Sequence, residues 1–78
     1  MGDVREFIHT LVAKTLESPI ESVNPDEEFI SLGLDSMHAI FLIDEIEKKY
    51  AIEINPHTFW EFPTINSFAA DLEKKLKP

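Results

Sequence analysis

Apolar residues return at helical spacing in three stretches of the chain. Val4, Phe7, Ile8, Leu11, Val12 and, at the margin, Leu16 fall three and four residues apart, which places them on one side of a helix over residues 3–17. Asp3 followed by Glu6 has the form of a capping box at its start. Ser18–Pro19 ends it, because a residue before proline is pushed out of the helical region. Ala39, Leu42, Ile43, Ile46 and Tyr50 predict a second helix over residues 36–50, with Met37 and Phe41 on the opposite side among Asp44, Glu45 and Lys48. Ile65, Phe68, Ala69, Leu72 and Leu76 predict a third over residues 64–77. Thr64, behind Pro63, is placed to cap it, and Lys74, Lys75 and Lys77 suit the negative end of its dipole.

The connections are unequal. Residues 18–35 form a long one, and a connection of that length carries function or a turn of its own. Ile20, Val23, Phe29, Leu32 and Leu34 are expected to pin it to the core, and Gly33 to mark a backbone position that needs freedom from a Cβ. After the second helix, Ile52 and Ile54 can extend briefly, and Pro56 and Pro63 bracket "HTFWEF", which has room for one helical turn. The expected fold is all-α: a small four-helix bundle of three long helices and one short, with a long first loop. Ile43, Ile46, Phe68 and Leu72 should be buried together.

With 78 residues, the chain is expected to be one small domain, residues 1–78. Its formal net charge of −8 argues against nucleic acid, where cations must neutralise phosphates. No Lys or Arg occurs between Lys14 and Lys48, a gap that holds Glu17, Glu21, Asp26, Glu27, Glu28, Asp35, Asp44, Glu45 and Glu47. Such a surface is either simply solvated or a face that steers basic partner proteins. There is no cysteine, which removes disulfides and thiolate metal sites and is compatible with a reducing compartment. The N-terminus, "MGDVREF", has no apolar core of a signal peptide, and no apolar run is long enough to span a membrane. A cytoplasmic monomer without a membrane association is expected. His9, His38 and His57 form no spaced pair, and "NPDEEF" lacks the alternating ligands of a calcium loop, so no metal site is expected.

The chemistry concentrates at "SLGLDSMHAI", residues 31–40, where a glycine-containing loop gives way to the second helix. Asp and Ser are both favoured helix caps, and one of Asp35 and Ser36 fills that place. Ser36 as a self-contained nucleophile is disfavoured. "GLDSM" lacks the second glycine of a nucleophile elbow, and His38, two residues on, points to another side of the helix. A third role is an attachment point. A helix N-terminus offers free N–H groups and a positive dipole end, where a phosphodiester on Ser36 Oγ is stabilised.

"LGLDSMHAIFLIDEIEKKY" resembles the phosphopantetheine-attachment region of acyl and peptidyl carrier proteins. "DEEF" before it resembles the acidic-then-aromatic step into the family's loop. "FWEFPTINSFAADL" is similar to a segment and last helix of carrier domains from polyketide and nonribosomal peptide synthases. The resemblance covers about residues 26–76. It implies a right-handed bundle of three long helices and a short one. It implies 4'-phosphopantetheine, moved from coenzyme A onto Ser36 by a phosphopantetheinyl transferase, and acyl intermediates carried on it as thioesters. It further implies a shuttle for partner enzymes rather than an enzyme. Those partners would be an acyltransferase, a ketosynthase, or adenylating or ligase-type loading enzymes. Asp35 is then the motif neighbour that shapes the helix start and transferase recognition, and Met37 the apolar position that partners contact. The second helix becomes the recognition helix, with Met37, Phe41, Asp44, Glu45 and Lys48 as the partner-binding residues. Phe41, Lys48 and Lys49 depart from the acidic pattern of fatty-acid carriers, which, with "EFPTI", favours secondary metabolism. Phe41 either folds against the loop of residues 18–35 or is an apolar anchor for partners. Met1 and Pro78 are in keeping with a free-standing protein, and an excised synthase domain is the alternative. Two other functions stay open: an aminoacyl, D-alanyl or peptidyl carrier, and a helical interaction module with an unmodified Ser36.

Overall fold

The computed structural model describes residues 2–76. Four helices follow one another: α1 Gly2–Leu16, α2 Ser36–Tyr50, α3 Thr58–Glu61 and α4 Ile65–Leu76, with a single 3-10 turn, Ile20–Ser22, in the first connection. The expected all-α bundle of three long helices and one short is therefore the fold. The Asp3 side chain of the expected capping box, and Lys77, lie outside the described residues.

Each helix end has a local cause. α1 stops at Leu16 because Glu17 turns into the left-handed region at φ 55°. Its N–H donates to Lys14 O at 3.1 Å while that of Ser18 donates to Ala13 O at 3.0 Å, the paired bonds of a Schellman closure. Ala51, also at φ 55°, closes α2 with its N–H on Glu47 O. Thr64 caps α4 as expected. Its N–H donates to Ser67 Oγ at 3.1 Å, and Ser67 N–H donates back to Thr64 Oγ1 at 3.0 Å, a reciprocal box that satisfies two otherwise orphaned donors.

The apolar faces meet in one core. Val4, Ile8, Val12 and Ala13 of α1, Ala39, Leu42, Ile43 and Ile46 of α2, and Ile65, Phe68, Ala69 and Leu72 of α4 are all buried there. The expected quartet of Ile43, Ile46, Phe68 and Leu72 is part of it. Tyr50 lies at its edge, with its ring edge-on to Phe7 at 5.8 Å.

The long first connection is fastened by three aromatic rings. Phe29 stacks on Phe59 of α3 at 4.3 Å, and Phe68 of α4 meets both rings edge-on at 6.0 and 6.3 Å. The backbone follows: Phe29 N–H donates to Pro63 O at 2.7 Å, and Asn66 N–H to Pro25 O at 3.1 Å. Val23 and Leu34 are buried as expected, and Leu32 packs against the core. Ile20 corrects the expectation. It is 38% exposed, because it sits in the 3-10 turn, none of whose residues is buried. Val23, three residues on, takes the core position instead. The second connection is held against α2 by Glu47, whose Oε2 accepts the Ile54 N–H at 2.7 Å. Among the described residues, no helix is long and apolar enough to cross a membrane.

Candidate functional site

The start of α2 is built by the turn before it. Residues 29–34 coil back on themselves, with Leu32 N–H and Leu34 N–H both donating to Phe29 O at 3.1 Å and Gly33 N–H donating to Ile30 O at 3.2 Å. Gly33 has φ +98°, a conformation open to glycine and costly for other residues. Leu34 is then buried to 1% exposure, and that anchor leaves Asp35 and Ser36 at the surface.

Asp35 is the N-cap. Its backbone is extended, its Oδ1 accepts the His38 N–H at 3.0 Å, and its own N–H donates to His38 Nδ1 at 3.3 Å. The cap that the sequence left between Asp35 and Ser36 thus falls to Asp35. The His38 N–H holds the Asp35 carboxyl below the usual carboxylate range. Desolvation opposes this, while the His38 ring and the Met37 N–H add to it. Ser36 is the first residue of α2 and is exposed. Its hydroxyl has no hydrogen-bond partner among the described residues. It fits a phosphodiester: an open hydroxyl at the positive end of a 15-residue helix whose cap is supplied by another side chain.

The other expected site residues lie on one exposed stripe of α2. Met37 is 76% exposed and Phe41 48%. Asp44 and Lys48 pair at 3.0 Å, and Asp44 holds the Lys48 amine above its usual range, with Glu45 contributing. Two depressions bound the stripe. On one side Phe41 and Glu45 line a groove of about 450 Å³ against Phe7, Leu11, Lys14 and Thr15 of α1. On the other, Asp44 lines a depression of about 210 Å³ with Ile40, Ile54 and Pro56. Phe41 therefore faces α1 and not the loop of residues 18–35.

Three further apolar residues are exposed that the sequence pattern does not single out: Ile40 at 65%, Ile30 at 65% and Trp60 at 44%. Ile40 was legible, since it lies one turn after Ser36 and so shares its exposed side. Ile30 and Trp60 line a cleft of about 240 Å³ with Glu28, Phe29 and Pro63. No local pattern joins residues so far apart in sequence.

Known proteins share this geometry. The family model described as "Phosphopantetheine attachment site" matches residues 6–72. The fold superposes with a TM-score of 0.90 on a free-standing peptidyl carrier protein from an uncharacterized secondary metabolic pathway of Acinetobacter baumannii, at 37% identity over 94% of this chain and 91% of that one. The sequence is 31% identical over 74 residues to a nonribosomal peptide synthetase of Cladobotryum, covering 95% of this chain and 7% of the synthetase. It is also 31% identical over 71 residues to a phenolphthiocerol/phthiocerol polyketide synthase of Mycobacterium tuberculosis, covering 91% of this chain and 4% of that synthase. The chain thus spans less than a tenth of these two relatives. It belongs to the phosphopantetheine attachment-site family, the carrier domains akin to the acyl and peptidyl carriers of polyketide and nonribosomal peptide synthesis that take a covalent phosphopantetheine arm.

Proposed function

We propose that this chain is a cytoplasmic shuttle for activated acyl groups in secondary-metabolite biosynthesis, and that Ser36 takes the arm. The observation that carries this reading is the exposed, unpartnered Ser36 hydroxyl on the first residue of α2. In the modification, Ser36 Oγ attacks the phosphorus of coenzyme A that bears the pantetheine. A phosphorus–oxygen bond forms as the phosphoanhydride bond breaks, and adenosine bisphosphate leaves with the electron pair. The hydroxyl proton goes to a base of the phosphopantetheinyl transferase, because the Asp35 carboxyl beside it is held below the usual carboxylate range by its cap bonds and is a weak base. Asp35 holds the helix start open for this step, and the N-terminal end of α2 stabilises the charge of the phosphodiester. Once attached, the arm supplies the thiol on which acyl groups ride as thioesters. The protein then orients and presents them through Met37, Phe41, Asp44, Glu45 and Lys48 to acyltransferases, ketosynthases or adenylating enzymes. It catalyses no reaction of its own.

A second reading gives the arm aminoacyl or peptidyl cargo. It is favoured by the likeness to the free-standing peptidyl carrier, which spans 91% of that protein. The family match weighs against the third reading, an interaction module with an unmodified Ser36. Incubation with coenzyme A and a broad-specificity transferase, followed by intact-mass measurement, tests the attachment. One arm on the wild type and none on Ser36→Ala is expected. An arm on the Ala variant would overturn Ser36. Loading the product with amino-acid-adenylating enzymes and, separately, with acyltransferases distinguishes the two cargoes.

A further inference from the structure

His38 Nδ1 lies 3.3 Å from the Asp35 backbone nitrogen and 2.9 Å from Asp35 Oδ1. The first of these groups is a donor and the second an acceptor, so one ring nitrogen cannot serve both at once. With a neutral ring whose proton is on Nε2, Nδ1 accepts from the Asp35 N–H and closes the capping box. When the ring gains a second proton and both nitrogens are donors, Nδ1 donates to Oδ1 and the Asp35 N–H is released to water. Imidazoles change between these forms in the mildly acidic range. Glu or Gln, the usual residues at this place in a capping box, would not.

We propose that His38 is a positioning residue for the modification of Ser36. Its neutral ring locks the Asp35 backbone and leaves the carboxylate open to a transferase. Its protonation releases that backbone, engages the carboxylate and slows arm transfer. The inference rests on Ser36 as the attachment point. The ring is 39% exposed, and Asp35 is its partner at the helix start. It has no other hydrogen-bond or ion-pair partner among the described residues. Further along α2, Glu45 lines the groove of Phe41 together with Lys14 of α1, a pair of opposite sign.

The test is a competition. Wild type and His38→Gln share one tube with coenzyme A and limiting transferase, so the pH dependence of the transferase itself cancels. Intact mass separates the products. The ratio of wild-type to His38→Gln modification should fall by about three- to tenfold between pH of about 8 and about 5.5. Independently, the Asp35 amide resonance should move over the same range in the wild type and stay still in His38→Gln. A ratio that does not change with pH, in well-folded proteins modified at Ser36, overturns the inference and leaves the attachment site standing. No modification of Ser36 at any pH overturns both.

Discussion

Asp35 and Ser36 divide the start of α2 between them. The Asp35 carboxylate makes the cap, accepting the His38 N–H at 3.0 Å, and the neighbouring Ser36 hydroxyl is left with no partner among the described residues. The two residues should therefore separate in mutation. Ser36→Ala is expected to melt within about 0.5 kcal/mol of the wild type, while Asp35→Ala melts measurably lower at neutral pH. The sign of the pH dependence follows from the depressed Asp35 carboxyl. A group whose folded pKa is lowered contributes stability that is present above its unfolded pKa and lost as pH falls through the folded one. The gap between wild type and Asp35→Ala should thus persist at neutral pH and close below about pH 4. Thermal melts across that range check it. A Ser36→Ala loss as large as that of Asp35→Ala would assign the cap to the wrong residue.

Much of this architecture was written in local patterns. The phase of α2 was legible because Ala39, Leu42, Ile43 and Ile46 form a long periodic series, and all four are buried. The Thr64 cap was legible because it needs only Thr64 and Ser67. What was not legible rests on irregular or distant relations. Ile20 and Val23 are two apolar residues in an aperiodic connection, and only the 3-10 turn decides which faces the core. The Phe29–Phe59 stack joins two rings that are far apart in sequence. The part played by His38 depends on whether Asp35 or Ser36 is the cap, since only from Asp35 does His38 fall at the third helical position.

Ile46, at 1% exposure, sits among the buried residues of all three long helices. Ile46→Ala leaves a cavity that neighbouring helices cannot readily fill, and it should cost about 2–5 kcal/mol. In a domain of this size that is a large share of the total. Urea unfolding should show a lower midpoint with an unchanged slope. A midpoint equal to the wild type's would mean that α2 is rotated from its described phase.

Gly33 separates conformational cost from crowding. A Cβ there would meet only Leu16 Cδ2, at 4.0 Å, so there is space for one. The constraint is the backbone, at φ +98°. Gly33→Ala should cost about 1–2 kcal/mol, and Gly33→Asn less, because Asn tolerates positive φ better than Ala does. The same melts measure both. Equal stability for Gly33→Ala would show that the turn into Asp35 can relax to negative φ.

Phe41 tests how far the exposed stripe of α2 governs recognition. Its ring is 48% exposed and lies over the α1 groove with Phe7 and Leu11, so it has both packing and free surface. Half of a buried aromatic side chain amounts to about 1 kcal/mol, and Phe41→Ala should lose no more stability than that. Aromatic anchors often dominate an interface while rim charges tune the encounter. With Met37 on the same stripe and Glu45 beside it, loss of the ring should weaken transfer from a dedicated partner by about 2 kcal/mol. Phe41→Glu places a second carboxylate next to Glu45 and should shift use toward enzymes that read acidic carriers. Melting temperatures and acyl-transfer rates for both variants, loaded identically, distinguish the outcomes. A large stability loss with unchanged transfer by the folded fraction would make Phe41 a packing residue of the α1–α2 seam and would move the recognition surface to Met37 and Ile40.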